Sequence, residues 1–176
     1  MDKLKQKIRK LLSQIRFRIK TAEYMRVTYT HPRSVVLITT RLGGKDNVMP
    51  VDWHIPLSLN PKLYAIAIEA KNYSCSIINE TGEFAVNFMP AKFEKEIVAC
   101  GNISGRGNDK FGLLKLNKAE AKKINAPVIM DAYGYLECKV IETHPEGDHT
   151  LFVAKVLYEK LDKDPEKLQV YHISRL

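Results

Sequence analysis

Lys45–Pro61 reads KDNVMPVDWHIPLSLNP, and these seventeen residues hold the only tryptophan of the chain, three prolines, two asparagines and a histidine. Upstream, SVVLITT (Ser34–Thr40) is a β-branched run bounded by Pro32 and by Gly43-Gly44. Downstream, LYAIAIEA (Leu63–Ala70) is a second apolar run. Both have the composition of buried strands. A hairpin turn between them would need only two to five residues or so. The stretch is therefore expected to be a long connection, lined by backbone polar groups and by the side chains of Asn47, Asp52, Trp53, His54 and Ser58. Pro50, Pro56 and Pro61 lower the entropy lost in holding it still. Two readings stand side by side: a surface for a flat heteroaromatic ligand with a hydrogen-bonding rim, or a structural loop whose Trp53 plugs the end of a barrel.

Further along, NYSCSIINETGE reads as a short helix capped by Ser74 and stopped at Gly82, and FAVNFMP (Phe84–Pro90) as a third strand. A helical piece at Lys92–Ala99 precedes a glycine-rich loop, CGNISGRGNDKFG (Cys100–Gly112). AYGYLECKVIETH (Ala132–His144) and HTLFVAKVLYEKL (His149–Leu161) give two more strands, joined by the turn PEGD. Five or more strands with few helices between them leave no room for repeated βαβ crossovers. The expected fold is mainly β with peripheral helices, a closed or partly open barrel. At 176 residues and 20.1 kDa the chain has room for one such domain, over residues 21–176, behind a distinct segment 1–20.

That segment carries most of the charge. Residues 1–20 hold eight lysines and arginines against one aspartate, which is +7 of the formal +8; the rest of the chain, with twenty bases and nineteen acids, is nearly neutral. A basic body that could follow a phosphate backbone is absent, so no nucleic-acid partner is expected. Leu4, Ile8, Leu11, Ile15 and Ile19 recur at helical spacing, with bases around them, which predicts an amphipathic helix. It suits either an anionic membrane surface or docking on its own domain or a partner subunit. With no secretory leader and no spanning apolar run, the expected compartment is the cytoplasm. Cys75, Cys100 and Cys138 are odd in number and far apart, so reduced, buried thiols are expected. None of the five histidines pairs at metal-ligand spacing, and no metal site is expected. His54 and His149 adjoin strand ends, where side chains reach clefts.

Taken in order, THPRSVVLITT, DNVMPVDWHIPLSLNPKLYAIAI, KNYSCSIINETGEFAVNFMP, NDKFG, AYGYLECKV and GDHTLFVAKV resemble the flavin reductase-like family with its FMN-binding split barrel of Greek-key type, and look closest to the flavoredoxin branch. The resemblance runs from about Tyr29 to about Leu161. It implies FMN as cofactor, with Asn47, Met49, Pro50, Val51, Asp52, Trp53 and His54 bordering the flavin ring and ribityl chain, and Ser58 at the family's S-x-x-P serine. It places Lys71, Tyr73 and Ser74 near the phosphate, where a helix start, a hydroxyl and a cation make physical sense for an anion. Asn87 and Lys110 would approach from the next strand and loop, and His149 would stand beside the open face of the flavin; His149 and Lys110 are the implied catalytic pair. Many family reductases have Ser or Thr where this chain has Asp52 and Trp53. The implied activity is NAD(P)H-dependent flavin reduction with NADH or NADPH as transient donor, or flavoredoxin-like electron carriage fed by a redox partner protein. A homodimer with flavin near the interface is implied as well.

Overall fold

The computed structural model describes residues 33–162 and 172–173. The amphipathic helix expected over residues 1–20 lies outside the described residues. All elements below fall within the compact unit Ser34–Tyr171. In chain order they are β1 (Val36–Leu42), β2 (Lys45–Val51), β3 (His54–Leu59), β4 (Lys62–Glu69), α1 (Tyr73–Thr81), β5 (Glu83–Phe88), α2 (Glu94–Asn102), α3 (Lys110–Leu114), β6 (Lys118–Glu120), β7 (Pro127–Ile129), β8 (Gly134–Glu146) and β9 (His149–Leu161).

Seven strands form one antiparallel sheet in the order β2-β1-β5-β8-β9-β4-β3. Its two edges, β2 and β3, are consecutive in the chain and separated only by Asp52 and Trp53. In a flat sheet six inter-strand spacings would set these edges about 29 Å apart. Three Cα steps from Val51 to His54 reach at most about 11 Å. The sheet therefore curls until its edges meet at residues 51–54, while β2 and β3 share no ladder. This is a split barrel, as expected, and its seam lies in the middle of Lys45–Pro61.

That stretch is consequently two edge strands, not the long connection expected from its prolines. Pro50 stands opposite Leu37 and Pro56 opposite Tyr64. Proline has no N–H to give a ladder, so a strand containing it is stable only where one side needs no partner. The prolines mark the edges, and the Trp53 carbonyl accepts from Ala67 N–H at 2.9 Å, carrying the β3–β4 pairing one residue beyond β3.

Val36 and Ile38 of β1, Ile66 and Ile68 of β4, Phe84 and Val86 of β5, Cys138 of β8 and Phe152 of β9 form the interior core. Each large side chain buried here stabilises the fold by roughly 1.5–3 kcal/mol. Cys75 and Ile78 of α1 join the same cluster, so the helix packs onto it. The helix starts after Asn72; Ser74, expected as its cap, lies instead in the first turn and is buried. Gly82 ends the helix with φ 67° and an N–H donated to the Ile78 carbonyl at 2.8 Å, the left-handed close that glycine allows. β1 is buried on its other face too, where Thr39 Oγ1 donates to the Pro127 carbonyl at 2.5 Å and ties β7 to the sheet. The β8–β9 hairpin turns through Gly147 and Asp148 alone, two residues shorter than the expected PEGD connection. All three cysteines are buried and unpaired, as expected. Among the described residues no helix is long and apolar enough to cross a membrane.

Candidate functional site

Asn47, in β2 opposite Thr40 of β1, is only 3% exposed. Its Nδ2 donates to Ser74 Oγ at 2.7 Å, while its Oδ1 is buried without a hydrogen-bond partner. A buried amide oxygen left bare costs about 1–3 kcal/mol, so a partner is missing there. The first turn of α1 lies beside it. No side chain caps that turn, and the leading N–H groups of any helix lack intrahelical acceptors. The Arg106 guanidinium stands 5.1 Å over the half-buried Tyr73 ring. Lys71 is close by in sequence and pairs with Glu69, which holds its ammonium above the usual lysine range. Turned end for end, the carboxamide accepts from the Ser74 hydroxyl and offers Nδ2 at the bare position, and with the uncapped amides and the cations it then forms a donor set suited to phosphate.

The chain runs from this end directly to an aromatic cluster. His149 pairs with Glu69 in the β9–β4 ladder, and Asp148 accepts the Ala70 N–H at 2.9 Å through its carbonyl. Trp53 stacks on His149 with ring centroids 4.4 Å apart and planes 17° from parallel. His149 Nδ1 lies 2.6 Å from Asp148 Oδ1, and this bond holds the Asp148 carboxyl below its ordinary range. His54 stacks on Tyr64 and lies 2.7 Å from its hydroxyl through Nδ1, with Nε2 3.1 Å from the Ser34 carbonyl. Burial pushes the Tyr64 phenol well above its usual range.

Other expected site residues fall elsewhere or serve the framework. Val51 is buried in the core, Met49 packs against it, and Pro50 sits under Gly101. Asp52 and Trp53 bridge the seam. Ser58 pairs with Leu63 near the far end of β3, about 13 Å along the strand from His54. Asn87 is fully engaged: Nδ2 donates to the Leu37 carbonyl at 2.9 Å and to Thr39 Oγ1 at 3.1 Å, and Oδ1 accepts from Ile129 N–H at 2.8 Å. Lys110 is buried with Nζ donating to the Val48 carbonyl at 2.7 Å and the Cys100 carbonyl at 2.9 Å. Burial lowers its pKa and pushes the Cys100 thiol up to about 11.

Asp148, Gly105 and Arg106 were not singled out in the sequence. Asp148 adjoins His149 and was legible as a partner. Arg106 gave a weaker signal, a lone cation between two glycines, because its neighbour Tyr73 is 33 residues away.

Residues 28–176 match the family described as flavin reductase like domain. An uncharacterized protein of Archaeoglobus fulgidus is 38% identical over 130 residues, 74% of this chain and 73% of its own. The NADH-dependent FMN reductase AsuE2 of Streptomyces nodosus subsp. asukaensis is 24% identical over 134 residues, 76% of this chain and 71% of its own. Among solved structures, the flavoredoxin from Methanosarcina acetivorans superposes with a TM-score of 0.76 at 26% identity, covering 82% of this chain and 81% of that one.

Proposed function

The chain belongs to the flavin reductase-like family, and we propose from that membership that it binds FMN and reduces it with hydride from NADH or NADPH. The carrying observation is Asn47, a buried carboxamide with one end bare beside the uncapped start of α1. The donors around it fit a phosphate, and the planar groups at the seam fit a flat ring. The name of the Streptomyces relative supports the choice of FMN and NADH.

When bound, FMN supplies a two-electron acceptor that takes hydride from the nicotinamide. The chain positions it. Asn47, Ser74, Tyr73, Lys71 and the first amides of α1 hold the phosphate end. The backbone of Met49, Pro50 and Val51, whose side chains serve the framework, together with Asp52, Trp53 and His54, borders the ring and ribityl chain along β2 and the seam. Asp148 accepts the Nδ1 proton of His149, which leaves Nε2 as the nitrogen that exchanges a proton beside the ring. The Trp53 indole fixes the plane of that imidazole. Lys110 keeps β2 in place through the Val48 carbonyl, and Asn87 ties β1 to β7; both act at one remove.

A second reading, an FMN electron carrier served by a redox partner protein, draws on the likeness to the Methanosarcina flavoredoxin. In both readings two copies associate with flavin near the interface. Ile55, Leu57 and Leu59, exposed along the edge strand β3, support such self-association.

An absorbance spectrum of the purified protein, before and after anaerobic NADH or NADPH, tests the proposal. Yellow protein that bleaches supports the reductase, and yellow protein that stays oxidised supports the carrier. Colourless protein that takes up no added FMN ends the flavin reading.

A further inference from the structure

We propose that Arg106 clamps the phosphate monoester of FMN at the first turn of α1, with Tyr73 as the shelf that holds its guanidinium in place. The inference rests on the FMN reading above and adds the residue that would recognise the phosphate.

The loop between α2 and α3 is fixed at both ends. Lys110 draws the Cys100 carbonyl and β2 together, and Asp109 caps α3 by accepting the Gly112 N–H at 3.2 Å. Inside the loop, Ser104 accepts the Arg106 N–H through Oγ at 3.3 Å and the Asn108 side chain through its carbonyl at 2.9 Å. Gly105 is pressed onto the site: a Cβ there would stand 1.9 Å from Asn47 Oδ1 and 3.3 Å from the Tyr73 ring. Only glycine lets the loop descend this far, and the next residue is thereby delivered over Tyr73.

The cations near this end are not equivalent. Lys71 is paired with Glu69, and Arg41 with Asp46 and Glu120. Among the described residues Arg106 pairs with no carboxylate; its guanidinium lies against the Tyr73 face at 5.1 Å. Stacking covers the flat face of a guanidinium and leaves its N–H edge to form two parallel bonds to a phosphate. Asn47 completes the arrangement. A carboxamide turned end for end accepts from the Ser74 hydroxyl through Oδ1 and points Nδ2 where the bare oxygen stands, a further donor for the same anion.

The phosphate monoester could come from FMN or from the 2′-phosphate of NADPH, and we assign it to FMN. The test titrates the apoprotein with FMN, riboflavin and 2′,5′-ADP, following flavin fluorescence or heat of binding. Arg106→Ala is expected to weaken FMN at least tenfold while leaving riboflavin within twofold. Arg106→Lys, which keeps the charge but loses the fork, is expected to recover only part, and Tyr73→Leu to weaken FMN selectively. Equal loss for FMN and riboflavin, or no loss for either, overturns the assignment of Arg106 alone. Loss confined to 2′,5′-ADP overturns the FMN source. A wild-type chain that binds neither flavin fails earlier, at the FMN reading, and takes this inference with it.

Discussion

Trp53 and His149 meet face to face, ring centroids 4.4 Å apart, although 96 residues separate them in the chain. One bridges the seam between the two edges of the sheet, and the other opens β9 two strands in from the β3 edge. Their contact joins the residue at the seam to the start of β9 and holds the imidazole that Asp148 orients. His149→Ala is expected to leave FMN affinity within about twofold and to slow reduction by NADH on the order of 100-fold, the usual contribution of a positioned proton donor. Stopped-flow bleaching and FMN titration measure the two effects separately. Loss of FMN affinity in step with the rate would move His149 from the donor side into the cofactor pocket.

Lys71 is exposed and held by Glu69, so its removal takes little from the folded state. Lys71→Ala is expected to leave the thermal midpoint unchanged and to weaken FMN about two- to fivefold, the size of an exposed ionic contact. Riboflavin, which has no phosphate, should bind the variant as it binds the parent. Unchanged FMN affinity would take Lys71 out of the site.

How much of this was legible in the sequence differs by element. Runs such as Leu63–Ala70 and His149–Leu161 declare themselves, because strands buried on one or both faces need β-branched and aromatic residues. The Gly82 stop was equally plain, since only a left-handed residue closes α1 there. Lys45–Pro61 misled, because proline reads as a loop signal until the sheet order shows that both strands are edges. Asn87 and Lys110 have chemistry that suits a ligand, but their partners are carbonyls and amides 10–62 residues away, which no local pattern displays. Burial decided their roles, and burial is a property of the assembled sheet.

Gly105 offers a direct probe of how the loop sits. A methyl group 1.9 Å from Asn47 Oδ1 cannot be accommodated without moving the loop or the carboxamide. Gly105→Ala is expected to destabilise the protein by about 1–3 kcal/mol, the cost of overpacking a close contact. It should also speed tryptic cleavage after Arg106, because the lifted loop becomes a better substrate. Wild-type stability and cleavage rate together would show that the loop does not rest on Asn47.

Lys110 makes a prediction about pH. Its ammonium is buried between the Val48 and Cys100 carbonyls, and that burial lowers its folded pKa below the ordinary lysine value. Lys110→Met removes both bonds and leaves two carbonyls bare, which should cost about 1–3 kcal/mol at pH 7. Below the lowered folded pKa the lysine is charged in both the folded and the unfolded chain, so the burial penalty is present in full. As pH rises past the lowered folded pKa, the folded chain gives up this proton while the unfolded chain keeps it, to about pH 10.4. The wild type therefore gains stability relative to the methionine variant across that window, and the gap between them widens with pH. Cys100, whose thiol is pushed up to about 11, remains in both proteins and largely cancels in the difference. Urea unfolding of the pair at pH 7.0, 8.5 and 9.5 measures the gap; one that stays constant or narrows would mean that the buried site does not penalise the ammonium.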